Sequence, residues 1–347
     1  MHALESLHGK TVLVTGATGF IGSHLVNRLR AATDIHLVLL SRKSVAENCK
    51  NVTRVTGSLE QLSQNTWLAA GVKRIDVVLH LGAFIPKSGD AADQVEAVYR
   101  DNLLGTRSLL ESFPSPPERI VFASTIDVYA SSSDTIVLSE SSPVGPANLY
   151  GASKLFCEQL VRAYARKHRC DQAVLRYGHI FGPGEEAYQK LIPQTIRQLM
   201  RGEAPVLYGD GSAERDFLYV EDAVEATLRA AVCDTRDLGP INIVGGRSRP
   251  VRDIVETLMS IVNFQGSIQY LTDKPAGHSL RFDNKRMRDG LGDWDLVSLE
   301  DGLKLEVKHF QNLSADKLWK VEEGASFCRV TGFLKARGEV ARGLRAT

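Results

Sequence analysis

KTVLVTGATGFIG, Lys10 to Gly22, is the stretch on which the fold of this chain turns. Its first half, Lys10 to Thr15, is a short β-branched apolar run, the pattern of a strand buried on both faces. It runs directly into Gly16, Gly19 and Gly22, followed by an apolar-periodic stretch through Leu29. Strand, glycine turn and helix follow one another with no linker. Gly16 permits the tight turn, Gly19 lets a backbone approach a pyrophosphate, and Gly22 lets helix and strand pack closely. The helix start offers unpaired N–H groups and the positive end of its dipole to phosphates. The pattern predicts a dinucleotide site; a glycine turn with a purely structural role is the alternative.

A second strand, Ile35 to Leu40, ends at Ser41-Arg42-Lys43. An Asp or Glu here would hold a ribose 2′-hydroxyl, and none is present. Two cations and a hydroxyl stand instead where a 2′-phosphate would lie, and Arg can grip phosphate through two parallel hydrogen bonds. This favours NADP over NAD, against the plainer reading of a basic loop. Further strand patterns occur at Val52–Thr56, Asp76–Leu81, Arg119–Ser124 and Gln172–Arg176, with helical patterns at Val95–Phe113 and Leu149–His168. Alternating β and α with buried strands predicts an α/β fold, a doubly wound parallel sheet. Ligands on such sheets bind at the carboxyl ends of strands, so Gly82-Ala83, Thr125 and Tyr177-Gly178 should converge on one crevice.

Tyr150-Gly-Ala-Ser-Lys154 opens the 149–168 helix pattern. Four residues apart, Tyr150 and Lys154 share a helix face. A phenol titrates near pH ~10, and an ammonium beside it favours the phenolate, tuning it toward acid–base work. On spacing alone, a solvated helix face explains the pair as well.

Composition narrows the class. The chain has 347 residues, 43% of them hydrophobic and 24% charged, with formal net charge +1. That length supports two domains or one domain with a sizeable lobe. The balance of charge argues against a nucleic-acid or acidic-membrane partner chosen by bulk charge. Cys49, Cys157, Cys170, Cys233 and Cys328 are dispersed, without metal-ligand spacing, and read as reduced thiols. No apolar run is long enough to span a bilayer, and Met1 to Lys10 lacks a signal-peptide core. A soluble cytoplasmic protein with no metal is expected.

Taken jointly, TGATGFIG (15–22), HLGA (80–83), NLLGT (102–106), STIDVYA (124–130), YGASK (150–154), LRYGHIFGPG (175–184), ERDFLYVEDA (214–223) and INIVGG (241–246) resemble the extended short-chain dehydrogenases/reductases of the NAD-dependent epimerase/dehydratase type. Those enzymes act on nucleotide sugars, and the likeness covers roughly residues 9 to 310. It implies a Rossmann-type sheet with a smaller C-terminal α/β substrate lobe. It also implies a catalytic triad of Thr125, Tyr150 and Lys154. In that triad Tyr150 exchanges a proton with a sugar oxygen, Thr125 hydrogen-bonds the same oxygen, and Lys154 binds the nicotinamide ribose. Cofactor contacts would come from Gly16, Thr18, Gly19, Phe20, Ile21, Gly22, Ser41, Arg42, Lys43, Ser58, Leu59, Leu81, Gly82, Ala83, Asn102, Tyr150, Lys154, Tyr177 and Gly178. Similarity to nucleotide-sugar 4,6-dehydratases places Leu191, Val206 and Tyr208 around a base, with Lys190 beside them. Arg215, Asn242 and His278 would then meet the diphosphate, and Phe84, Lys87, Thr125 and His179 the sugar. Leu191, Val206 and Tyr208 read equally well as core, and His278 as a surface residue.

Three departures shape the expected activity. The dehydratases follow their Thr with Asp-Glu, the pair that eliminates water; here the positions read Ile126-Asp127, so elimination should fail. His179 stands where the family has Asn. Ser41-Arg42-Lys43 replaces an acidic residue. Lost elimination together with NADP points to an NADPH-dependent 4-ketoreductase of a dTDP-4-keto-6-deoxyhexose; the alternative is a C4 epimerase, and a non-catalytic NADP-binding protein is a third reading. The sheet domain is expected at 9–182 plus 216–245, the substrate lobe at 183–215 plus 246–312, and a mobile tail at 320–347. Amphipathic helices 95–113 and 149–168 suggest a homodimer.

Overall fold

A computed structural model describes residues 2–32, 34–42, 50–86, 94–130, 136–271 and 277–313. Lys43, Lys87 and the 320–347 segment lie outside the described residues.

After a short helix α1 (His2–Glu5), the chain alternates β1 (Thr11–Thr15), α2 (Phe20–Arg30), β2 (His36–Ser41), β3 (Val52–Thr56), α3 (Gln64–Ala69) and β4 (Val77–His80). There follow α4 (Val95–Val98), a π turn over Tyr99–Leu104, α5 (Gly105–Ser112), β5 (Arg119–Thr125), β6 (Val137–Leu138), α6 (Leu149–His168) and β7 (Asp171–Tyr177). The remainder comprises β8 (His179–Phe181), α7 (Leu191–Met200), β9 (Val206–Tyr208), β10 (Glu214–Tyr219), α8 (Val220–Val232), β11 (Asp237–Ile243), β12 (Ser248–Pro250), α9 (Val251–Ile261), β13 (Gln269–Leu271), β14 (Arg281–Phe282), α10 (Lys285–Leu291) and α11 (Leu299–Gln311).

Seven described strands form a parallel sheet in the order β11-β7-β5-β4-β1-β2-β3, the Rossmann-type architecture. The strand order reverses between β1 and β4, which opens a crevice at their carboxyl ends. Period-two alternation explains why both faces are covered. Val12, Val14, Leu37, Leu39 and Leu79 pack toward α2 and α8, while Leu13, Val38, Leu40, Val78 and Phe122 pack toward Trp67, Leu109 and Cys157.

The single helix expected over 95–113 is interrupted by the π turn. One extra residue per turn rotates the face of the helix, and Asn102 thereby points inward and is buried. Strand β10 joins β8 and β12 in a separate three-stranded sheet, whereas β11 edges the central one. Helix α11 is capped by Ser298, whose Oγ accepts from the Asp301 N–H at 3.1 Å. Among the described residues, no helix is long and apolar enough to cross a membrane.

Candidate active site

The glycine turn is a crossing of three backbones. Gly16 has φ +71°, and a Cβ there would stand 2.7 Å from the Gly82 nitrogen. A Cβ on Gly22 would stand 2.0 Å from the Gly16 oxygen. No side chain fits at either place, so α2 starts hard against the ends of β1 and β4. Thr15 Oγ1 accepts from the Gly82 N–H at 3.0 Å and lies 2.7 Å from His80 Nδ1, while His80 Nε2 lies 3.1 Å from Thr106 Oγ1. Burial, reinforced by the Lys154 charge, pushes His80 down to about 3, so it serves as a neutral brace. Helix α2 has no side-chain cap at Gly19, which leaves its first N–H groups facing the crevice. These residues fit a dinucleotide pyrophosphate. At the end of β2, Arg42 is 77% exposed, with Nη1 3.8 Å from Asp101. Leu59 packs on Gly82, and the Ser58 hydroxyl donates to Glu60.

Thr125 closes β5 at the same edge and is buried. Its Oγ1 accepts from the Asp127 N–H at 3.2 Å, which leaves the hydroxyl hydrogen to donate elsewhere. Helix α6 begins with Asn148, whose Oδ1 accepts from the Gly151 N–H at 2.7 Å. A Cβ at Gly151 would stand 2.2 Å from the Asp127 oxygen. This glycine therefore lets the first turn of α6, with Tyr150, sit directly on the turn that follows Thr125. Lys154, one turn on, is 2% exposed, its Nζ 4.2 Å from the centroid of the Phe122 ring. Burial pulls the ammonium down to about 8 against the opposing attraction of Cys157 and Glu158.

Behind Thr125, Tyr150 and Lys154 stands a polar clamp. Glu158, wholly buried, accepts from Arg176 Nε and Nη2 at 2.9 Å each and from Ser124 Oγ at 2.6 Å. Arg176 in turn lies 4.9 Å above the Tyr129 ring. The clamp joins α6 to β5 and β7 immediately beside Thr125 and Lys154. Sequence reasoning passed over it, although Glu158 stands four residues after Lys154 on one helix face and Arg176 interrupts an apolar strand. Ile126 is buried with Val128, Tyr129, Leu138, Val244 and Phe282, so its side chain is committed to packing; Asp127 is exposed.

On the opposite wall, Leu191, Val206, Tyr208 and Arg215 line one pocket with Gln194 and Gln198. Arg215 is 5% exposed, and its Nη1 donates to the His278 carbonyl at 2.6 Å. His278 thus meets Arg215 through its main chain. Lys190 immediately precedes α7, its ammonium 3.2 Å from Glu185 and 3.3 Å from the Ile180 carbonyl. His179 lies between Arg215 and Lys190, and burial plus those two charges pushes it down to about 3. Its buried Nδ1 has no partner among the described residues.

Three expected contacts have side-chain atoms engaged inside the fold. Asn242 is fully buried, its Oδ1 accepting from the Tyr129 hydroxyl at 2.6 Å, while its Nδ2 has no partner among the described residues. The Tyr177 hydroxyl is 2.6 Å from Thr227 Oγ1 in the core toward α8, which leaves the main chain and Gly178 to face the crevice. The Asn102 carboxamide is taken up by the Phe84 N–H and carbonyl and by Ser153 Oγ. It holds the loop after β4, including Phe84, against α6 instead of reaching a cofactor. Among the described residues, no cluster of three or more His, Cys, Asp or Glu could hold a metal.

A family model described as the NAD dependent epimerase/dehydratase family matches residues 12–243. The chain is similar to a trifunctional UDP-glucose 4,6-dehydratase/UDP-4-keto-6-deoxy-D-glucose 3,5-epimerase/UDP-4-keto-L-rhamnose-reductase of Arabidopsis thaliana, 29% identical over 87% of this chain and 47% of the relative. It therefore spans about half the length of that relative. A dTDP-glucose 4,6-dehydratase of Neisseria gonorrhoeae is 28% identical over 87% of this chain and 95% of its own. Among solved structures, UDP-glucuronic acid 4-epimerase from Bacillus cereus, in complex with UDP-glucuronic acid and NAD, superposes with a TM-score of 0.76 at 25% identity, over 88% of this chain and 100% of the other.

Proposed function

The chain belongs to the NAD-dependent epimerase/dehydratase family, and from that premise we propose that it is an NADP(H)-dependent 4-ketoreductase of a nucleotide-diphosphate 4-keto-6-deoxyhexose, most simply a dTDP-sugar. The observation that carries this reading is Ile126. An acid at that position would share in removing water across C5 and C6, and this side chain is an alkyl group enclosed in an apolar cluster. Proton exchange at a single carbon needs only Thr125, Tyr150 and Lys154.

In this reading Gly16, Gly19, Gly22 and the first turn of α2 hold the pyrophosphate, and Arg42 binds the 2′-phosphate. The nicotinamide, when bound, supplies the hydride for C4. Tyr150 gives its proton to the C4 oxygen as negative charge develops there, and Thr125 donates a second hydrogen bond to that oxygen. Lys154, its ammonium pulled down by burial to about 8, steadies the phenolate left on Tyr150. Leu191, Val206 and Tyr208 enclose the base, while Arg215 and Lys190 supply positive charge for the diphosphate. We further propose a homodimer across the π-turn helix and α6, where Val95, Tyr99 and Phe156 are exposed.

The test is incubation of purified protein with dTDP-4-keto-6-deoxyglucose or its 3-epimer and NADPH, with the product identified by NMR. One NADPH should be oxidised per sugar reduced. No oxidation of NADPH or NADH with either sugar rejects the assignment. A C4 epimerase is the second reading, favoured by the UDP-glucuronic acid 4-epimerase among the structural neighbours; it would interconvert two saturated nucleotide sugars with no net consumption of cofactor.

A further inference from the structure

Residues Gly182 to Lys190 connect β8, at the cofactor crevice, with α7, which carries Leu191. One end of this loop is held by α2. His24 Nε2 lies 2.7 Å from the Pro183 carbonyl oxygen, and His24 Nδ1 lies 2.6 Å from Glu221 Oε1 on α8. Both partners are acceptors: a carbonyl has no hydrogen to give, and His24 holds the Glu221 carboxyl below its usual range. A neutral imidazole has one N–H, so both bonds together require the doubly protonated ring. The Phe20 ring lies edge-on to His24 at 5.9 Å and 6.4 Å from Tyr188. A Cβ on Gly184 would touch Phe20 and His24, which shows how closely loop and helix approach.

The same loop has a second anchor. Glu185 is 1% exposed and faces Glu306 of α11, itself wholly buried, and neither Glu306 oxygen has a hydrogen-bond partner among the described residues. Two carboxylates buried against each other repel, so this approach holds only while at least one keeps its proton. Both anchors therefore contain a proton that the loop depends on, two residues apart along it and facing different elements.

We propose that His24, as an imidazolium, is the positioning residue through which the cofactor-binding helix holds the 182–190 loop, and that proton loss at His24 and at the Glu185–Glu306 pair releases this loop. Charged groups from several elements face the two anchors, Glu221 favouring the His24 proton and Lys190 opposing the carboxyl one. On α2, Arg28 stands 3.7 Å from Glu221 and 3.2 Å from Glu225. On α8, Glu225 is also paired with Arg229, and Asp222 accepts from Trp294 and Val297. On the loop, Lys190 faces Glu185 and the Phe20 ring. Arg197 of α7 donates to the Glu186 carbonyl, His309 of α11 lies 3.2 Å from Glu186, and Tyr219 of β10 faces Glu221 and Glu306. His24 holds its proton above the ordinary 6.5, so its anchor is complete below that value and is lost as pH rises through the folded one. The carboxyl pair, raised above the ordinary 4.5 chiefly by burial, loses its proton in the same direction.

The test is amide hydrogen exchange of the full chain without ligand at about pH 6 and about pH 9, corrected for intrinsic exchange. Protection of amides 184–190 should fall by about tenfold or more, the scale of one lost hydrogen bond, with α6 unchanged as the internal reference. In the double variant His24→Arg/Glu306→Gln, a permanent cation and a permanent N–H donor replace the two protons, and protection should persist at about pH 9. Constant wild-type protection overturns the proposal, as does an equal loss in the double variant. The consequence for nucleotide-sugar affinity rests on the function proposed above. It is read by calorimetry with dTDP and UDP at the same two pH values, where the dissociation constant should rise with pH by a similar factor. Loss of protection with no nucleotide bound at either pH refutes that functional reading and leaves the loop inference standing; weaker binding with constant protection refutes the loop inference.

Discussion

Replacing Lys154 by Met should abolish turnover and at the same time stabilise the nucleotide-free protein. The side chain is 2% exposed. Lowering its ammonium from an ordinary 10.5 to about 8 corresponds to a burial penalty of about 3 kcal/mol at neutral pH. Met has similar length and no charge, and its sulfur makes a favourable contact with the Phe122 ring. The loss to set against this is the Lys154–Phe122 cation–π contact, about 2 kcal/mol when desolvated. The net expectation is a gain of about 1 kcal/mol at pH 7, read by urea unfolding after bound nucleotide has been removed. The pH dependence follows from the depressed folded value. The penalty is complete below about 8 and is released as pH rises toward 10.5, so wild type should approach the variant over that window. A Lys154→Met protein less stable than wild type at pH 7, or a difference constant from pH 7 to 10, refutes the reasoning. It would mean that the ammonium is compensated inside the fold and is not held at a cost for catalysis.

Tyr150→Phe should abolish sugar turnover while leaving NADP binding, followed by fluorescence, within a few-fold of wild type. Gly151→Ala forces a Cβ 2.2 Å from the Asp127 oxygen; it should cost about 1–3 kcal/mol in unfolding and lower kcat more than it raises KM, since it parts Tyr150 from Thr125. Arg42→Ser removes the exposed guanidinium at the end of β2 and should lower the NADP-to-NAD preference in kcat/KM by about ten- to a hundredfold, the worth of about 1.5–3 kcal/mol for a charge-assisted bond; an unchanged ratio places the 2′-phosphate elsewhere. Phe156→Lys, at a residue 53% exposed on α6, should convert a dimer to a monomer by light scattering, and a wild-type monomer at micromolar concentration rejects the dimer.

What the sequence by itself determined is local. Period-two apolar runs mark buried strands, and the glycines at 16, 19 and 22 mark a turn that tolerates no side chains. The spacing of Tyr150 and Lys154 puts them on one helix face, because these signals depend on neighbours a few residues apart. Tertiary structure decided which groups remain available. Asn102 and Tyr177 looked like ligand contacts, yet their side-chain polar atoms are spent on Phe84 and Ser153 and on Thr227, while Asn242 commits its Oδ1 to Tyr129 and keeps its Nδ2 without a partner among the described residues. The π turn that aims Asn102 inward leaves no mark in an amphipathic pattern. Glu158 and Arg176 find each other only when folding brings α6 against β7, over 18 residues of chain. His24 and Pro183 meet across 159 residues. Short-range pattern fixes conformation, whereas the pairing of buried polar groups is settled only when distant segments dock, because only then is water removed and each donor must find its acceptor.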